Sequence, residues 1–183
     1  LATAMNRFDS QDINLIVLMH ELVCLASKRV HEFDTLNCVS LLSVLSKMEI
    51  SDEIFVNAVS NKLMESRKEL TGQLIATLFL ALGRMKVRDS KLVPVLCDEL
   101  REKTGTLSEM HVTQILKGMS QCGHSDEEFM RALIPSIKKN MGSYSMVGAS
   151  TVLSMYSRNG VFEDAFFKAL INAQLNQLHK MQS

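Results

Sequence analysis

The chain has 183 residues, 46% of them hydrophobic, with two prolines, eight glycines and no tryptophan. That composition suits a mostly helical globular protein and excludes a disordered one. Twenty basic and twenty acidic residues cancel to a formal net charge of zero, which is not the profile of a strongly basic nucleic-acid-binding domain. Cys24, Cys38, Cys97 and Cys122 form no CxxC pair. Three of them stand among apolar helical positions and read as small core residues, so nothing implies a disulfide framework. No apolar run reaches the roughly 18 residues of a membrane span, so no membrane partner is expected. The opening "LATAMNRFDS", without an initiator methionine, reads as a fragment, and a targeting peptide can be neither inferred nor excluded.

In chain order, residues 12–33 come first and predict one helix. Setting Asp12 on Asp52 places Leu15, Ile16, Met19 and Val23 over Phe55, Val56, Val59 and Leu63, so residues 1–33 read as the tail of a preceding repeat. Four gapless 37-residue units follow, at 34–70, 71–107, 108–144 and 145–181, and a period of that size predicts a solenoid. Each unit opens on an N-cap residue, Asp34, Thr71, Ser108 or Ser145, whose side chain can accept from a free amide of the first turn. Phe33, Leu70, Leu107 and Tyr144 precede the caps, and Cys38, Ile75, Val112 and Ala149 follow four positions later. That is hydrophobic-staple spacing, which fixes the angle at which the chain enters the helix.

The first helix of each unit, helix A, then carries one apolar stripe at steps of three and four, such as Ile75, Leu78, Phe79, Leu82 and Met85. A small residue near its end (Ser46, Gly83, Ser120, Ser157) is expected to let the second helix approach. An acid in each turn (Asp52, Asp89, Asp126, Glu163) suits the start of helix B, where negative charge favours the helix dipole. Helix B is apolar at positions such as Phe55, Val59 and Leu63, with Gln174 breaking the stripe in the last unit. Pro94 and Pro135 fall within B helices and are expected to kink or loosen them. The fold expectation is an all-α, right-handed solenoid of helix-turn-helix repeats.

No motif for phosphate cradling, dinucleotide binding, zinc hydrolysis or a nucleophile elbow occurs. His20 and Cys24 stand four apart on one helix, but with no further ligand nearby they read as a packed interior pair rather than a metal site. "CGH" at 122–124 reads as turn residues. The carboxylates fall at caps and on solvated faces. The expectation is therefore a non-enzymatic protein with no catalytic residue, metal, cofactor or small-molecule substrate.

What remains is the polar face of helix A. Its fourth, seventh, tenth and fourteenth positions hold Asn37, Ser40, Ser43 and Lys47 in the first unit, and Leu74, Thr77, Leu80 and Arg84 in the second. The third unit has His111, Gln114, Lys117 and Gln121, and the fourth Gly148, Thr151, Ser154 and Arg158. Stacked repeats would align the seventh positions as a polar ladder beside a basic one. Such a surface suits single-stranded RNA, with a polar side chain meeting a base edge and a cation tracking the phosphates. The unit charges of −2, +2, 0 and +1 centre any basic patch on the second unit. No aromatic residue stands on the ladder for base stacking.

The gapless 37-residue helix pair is similar to the heptatricopeptide repeats and close to the octotricopeptide repeats. The segment "FLALGRMKVRDSKLVPVLCDEL" at 79–100 resembles the helical region of the FAST-kinase-like proteins that often precede a RAP domain. The likeness covers residues 34–181. Pentatricopeptide repeats, at 35 residues, are the nearest rival; the tetratricopeptide Trp/Gly/Tyr signature and ankyrin's TPLH are absent. The resemblance implies a role in mitochondrial or other organellar RNA processing, editing or stability, alongside protein subunits of an RNA-processing complex. Arrays of this kind also occur among proteins that organise kinetoplastid mitochondrial RNA editing. Only the polar positions of helix A carry over as an RNA-facing surface, and Leu74, Leu80 and Gly148 interrupt it. The competing expectation is a scaffold that binds other proteins through an exposed groove; a plain structural spacer is a third.

Overall fold

The computed structural model describes residues 13–88 and 90–182, and the side chains of 17–88 and 90–179. Asp12, Asp89, and the Leu15 and Ile16 side chains named above lie outside these. The helices are α1 (Ile13–Lys28), α2 (Thr35–Lys47), α3 (Glu53–Glu65), α4 (Gly72–Arg84), α5 (Leu92–Arg101), α6 (Glu109–Cys122), α7 (Glu127–Lys139), α8 (Met146–Arg158) and α9 (Asp164–Gln182). No strand occurs among the described residues. The even-numbered helices α2, α4, α6 and α8 are the expected A helices and begin 37 residues apart.

Local chemistry sets both ends of each A helix. Asp34, Thr71, Ser108 and Ser145 take extended backbone and accept from the amides of Asn37, Leu74, His111 and Gly148. The last turn ends on left-handed residues Glu49, Lys86, Gly123 and Gly160, with φ of 58°, 54°, 71° and 70°. The next amide in each case (Ile50, Val87, His124, Val161) donates back to the carbonyl of Leu45, Leu82, Met119 or Tyr156 at 3.0–3.1 Å. This is a Schellman closure, written with glycine twice and without it twice. Asp52 and Asp126 cap α3 and α7 by accepting from Phe55 and Phe129. After each of α1, α3, α5 and α7 comes a 3-10 turn, at Val30–Glu32, Arg67–Glu69, Thr104–Thr106 and Met141–Ser143. These turns hand the chain to the next A-helix cap.

Like packs on like. The A helices contact one another in sequence, α2 to α4 to α6 to α8, and the B helices do the same from α1 through α3, α5 and α7 to α9. The chain is therefore an all-α solenoid of 37-residue helix pairs. Its core runs between the two rows in repeating columns. Leu78, Ile115 and Val152 form one column; Val59, Leu96, Leu133 and Leu170 a second; Leu63, Leu100 and Ile137 a third. All are fully buried. The staple residues Leu70, Leu107 and Tyr144 form a fourth, at most 2% exposed. Polar ties join consecutive pairs: Lys103 donates to the Leu70 carbonyl at 2.6 Å, Ser136 to Thr104 at 2.7 Å and Tyr156 to Met130 at 2.6 Å.

Several expectations are corrected by the packing. At Gly83 the small residue near the end of helix A meets the next A helix rather than its own helix B. A Cβ on Gly83 would lie 2.9 Å from the Cα of Gly118 in the next A helix, while Ser120 and Ser157 are exposed. The closest approach to a neighbouring backbone is at Gly118, where a Cβ would sit 2.2 Å from the Phe79 carbonyl oxygen. Pro94 is the third residue of α5, in the first turn, where no amide hydrogen bond is forfeited. Pro135 lies inside α7, on its exposed side, and the helix runs unbroken from Glu127 to Lys139. Gln174 does break the apolar stripe of α9. It is buried, and its amide donates to the Tyr144 carbonyl at 3.1 Å.

The register of α1 also differs. It ends at Lys28, 37 residues before α3 ends at Glu65, and its 3-10 turn falls 37 before the next. Leu22 thus corresponds to Val59 and Ala26 to Leu63, three positions away from the alignment that set Asp12 on Asp52. An apolar stripe recurs every three or four residues, so a slip of three leaves it matched; only the 37-residue period carried back from Asp34 would have marked it. His20 and Cys24 are both exposed and are not an interior pair.

Candidate functional site

The thirteen polar positions nominated for RNA all sit on A helices, and none is buried. Caps and helix periodicity explain this placement, because the apolar stripe of each A helix faces the core and turns the opposite side outward. Two grooves gather part of the set. One, of about 620 Å³, is lined by the fourteenth-position residues Lys47, Arg84 and Gln121, from three consecutive A helices. The other, of about 420 Å³, is lined by Lys117 of α6 and by Thr151, Ser154 and Arg158 of α8. Arg84, Lys117 and Arg158 take part in no ion pair among the described residues. Their charge is therefore available to an anion rather than spent on a neighbouring carboxylate.

The remaining positions are placed less favourably. Ser40, Ser43, Thr77, His111 and Gln114 are half-buried on the same row and line neither groove. Asn37 lies at the edge of a third, mostly apolar groove between α1 and α2. Hydrogen bonds narrow what several can offer. Thr77 donates to the Gln73 carbonyl at 3.0 Å and Thr151 to Val147 at 2.8 Å. Both hydroxyl protons are thus turned into the helix, leaving lone pairs to accept from a base. His111 completes a capping box: its Nδ1 accepts from the Ser108 amide at 3.3 Å. With that nitrogen accepting, the neutral ring carries its proton on Nε2 and presents a donor.

Some lining residues were not nominated from the sequence. Glu49 and Ser51 of the α2–α3 turn line the first groove, with Lys86 of the following turn. Met146, Val147 and Ser150 line the second. The turn residues carry no helical periodicity that could have marked them. Leu36, Met110 and Val147 occupy the same position of three A helices and are all more than half exposed, an apolar column beside the polar one.

The fold also brings together Cys97, His124 and Asp126, whose ligand atoms lie within 4.8 Å of one another. His124 Nε2 is buried without a hydrogen-bond partner, which would suit a cation. The rest of the group does not. Asp126 already accepts from the Phe129 amide at 2.8 Å and from Arg101 Nη2 through both carboxylate oxygens. A cation would have to displace that guanidinium. Burial pushes the Cys97 thiol up to about 12, so it keeps its proton. The grouping ties α5 to the start of α7.

No helix among the described residues is long and apolar enough to cross a membrane. A family model, RESC6, described as RNA-editing substrate-binding complex 6 protein, matches residues 4–183. Among curated proteins, none matches the chain.

Proposed function

The chain belongs to the RESC6 family of RNA-editing substrate-binding complex 6 proteins, and from that premise we propose that it is a non-enzymatic component of a mitochondrial RNA-editing complex that binds single-stranded RNA along its A row. On this reading the repeats are of heptatricopeptide type, with units at 34–70, 71–107, 108–144 and 145–181 and residues 1–33 ending a preceding one. The observation that carries RNA binding is the convergence of Lys47, Arg84 and Gln121 in one groove, and of Lys117 and Arg158 beside Thr151 and Ser154 in another. Cations spaced along the array would follow the phosphates, while hydroxyl and amide groups beside them meet base edges. With no aromatic platform on the row, affinity comes from charge and falls steeply with salt.

The test is binding of a labelled single-stranded RNA across a salt series, with the Lys47/Arg84/Lys117/Arg158→Ala variant in parallel and its fold checked by circular dichroism. Each phosphate contact adds about −0.7 to the slope of log K against log salt on a single strand. Four lost contacts should flatten the slope by about 3. An unchanged slope would put RNA elsewhere. A second reading, a scaffold for protein subunits, is supported by the exposed column of Leu36, Met110 and Val147, and binding absent even at low salt would favour it.

A further inference from the structure

At two junctions of the B row, a cation near the end of one helix reaches the acid in the turn that follows. Arg101 of α5 meets Asp126 at 2.9 Å, and Lys138 of α7 meets Glu163 at 2.7 Å. The residue 37 positions before Arg101 is Met64 of α3, which has no charge to offer. Met64 instead lines a groove of about 670 Å³ between α3 and the α4–α5 turn. The groove lies within the array, with α1 and α2 before it and α6 to α9 after it. The turn beside it is longer than its counterparts. Glu53, Glu127 and Asp164 open their helices 37 residues or a multiple of it from Ser90, yet α5 begins only at Leu92.

That turn supplies three exposed cations to the groove, Lys86, Arg88 and Lys91. None of them pairs with a carboxylate among the described residues, and Glu53 is the single carboxylate in the described lining. In the next turn the same positions hold Gly123, Ser125 and Glu128, so the charge belongs to this junction alone of the two. The facing wall is different in kind. Asn57 and Asn61 stand one turn apart on α3, both exposed and with side-chain amides free of hydrogen bonds among the described residues. Ser60, 6% exposed, lines the groove beside them and has a hydroxyl without a partner, the kind of group a bound ligand satisfies. Ser51, Met85 and Lys86 also line the A-row groove of Lys47, Arg84 and Gln121. The two grooves therefore meet at the turn.

We infer that a single RNA strand leaves the A row at the α4–α5 turn and enters this groove, with phosphates on Lys86, Arg88 and Lys91 and one base against Asn57 and Asn61. An amide side chain both donates and accepts, as a base edge requires. Half-buried Met64 and Val87 give the face of that base an apolar surface. A carboxylate-rich peptide would answer the cations alone, whereas a nucleotide answers both walls. The inference rests on the RNA-binding reading and adds a second segment to its path.

The test measures a labelled single strand across a salt series on three further variants, each checked by circular dichroism. Lys86/Arg88/Lys91→Ala should flatten the slope of log K against log salt by about 2, from three lost contacts of about 0.7 each. Lys28/Lys139/Lys168→Ala removes equal charge from exposed positions outside the grooves and should leave the slope unchanged. Asn57→Ala/Asn61→Ala should weaken binding at least fivefold at every salt concentration without altering the slope. A turn variant that behaves like the charge-matched control overturns the inference; if the Lys47/Arg84/Lys117/Arg158→Ala chain still loses binding, the A-row reading survives alone. Binding lost by the turn variant but kept by that chain retains this groove and removes the A row. A parent chain that binds no RNA at low salt removes both. Displacement of the strand by polyglutamate, with no effect of the asparagine pair, would overturn the inference by assigning the groove to an acidic peptide.

Discussion

Replacing Gly118 with alanine tests the packing argument where helix backbone meets helix backbone. The added Cβ would sit 2.2 Å from the Phe79 carbonyl oxygen and 2.4 Å from its carbonyl carbon. Backbone cannot swing aside as a side-chain tip can. To restore ordinary contact near 3.4 Å, α4 and α6 must part by about 1.2 Å along that line, loosening Ile75, Phe79, Ile115 and Met119 together. Overpacking of this kind costs about 1–3 kcal/mol, more when the backbone must shift. The better helix propensity of alanine returns about 1 kcal/mol. The expected net loss is about 2 kcal/mol, or a fall in Tm of roughly 4–8 °C for a chain of this size. Urea and thermal unfolding followed by circular dichroism at the helix band read it directly. Gly105→Ala is the control, since nothing lies within 4 Å of its added Cβ and its φ is not positive. A Gly118→Ala protein as stable as the parent would refute the claim that α4 and α6 meet backbone to backbone.

Glu49→Gly should stabilise the chain by about 0.5–1 kcal/mol, because a side chain at φ 58° is strained where glycine is not. If the groove beside Arg84 takes RNA, removing this carboxylate should also tighten RNA binding at low salt, read in the same titration. The buried Glu99 carboxyl is held below its ordinary value of 4.5, first by its hydrogen bond from Lys103 and then by charge from Lys103 and Lys68. A depressed pKa contributes stability that is present above the ordinary value and lost as pH falls through the lowered one. Unfolding free energy should therefore drop as pH falls below about 4.5, and Glu99→Gln should flatten that part of the profile. Alkylation at pH 8 should label Cys24 first, since it is exposed. Cys97 and Cys122, with thiols pushed by burial to about 12 and about 11, should react only on unfolding. Mass spectrometry of the labelled peptides gives the order.

Elements signalled by side-chain chemistry at fixed spacing could be read from the sequence. The caps at Asp34, Thr71, Ser108 and Ser145, and the staples across them, are such signals, and they suffice to set the period. The 3-10 turns were invisible because Arg67–Glu69 and Thr104–Thr106 share no residue type; only backbone geometry unites them. The left-handed closures were legible at Gly123 and Gly160 but hidden at Glu49 and Lys86. Gly118 stands in the middle of a helix, where sequence reasoning expects a weak point rather than the closest backbone approach between helices. The convergence of Cys97 with His124 and Asp126 depends on how consecutive pairs rotate, which no single-chain pattern records. The cations of the candidate interface were legible as a ladder, but its division into two grooves and the place of Glu49 among them required the turns.

The junction at Gly118 also sets how the array bends under load. Between α4 and α6 backbone bears on backbone, and compression there meets a hard wall. Between α6 and α8, at a different position of the repeat, the close contact is with the Glu109 carboxylate end, which lies where a Cβ on Gly148 would fall and which Ser145 holds by a hydrogen bond of 2.6 Å. A carboxylate on a flexible stem yields where a peptide group does not. The two junctions therefore differ in kind, backbone against backbone between α4 and α6 and a side-chain tip against backbone between α6 and α8.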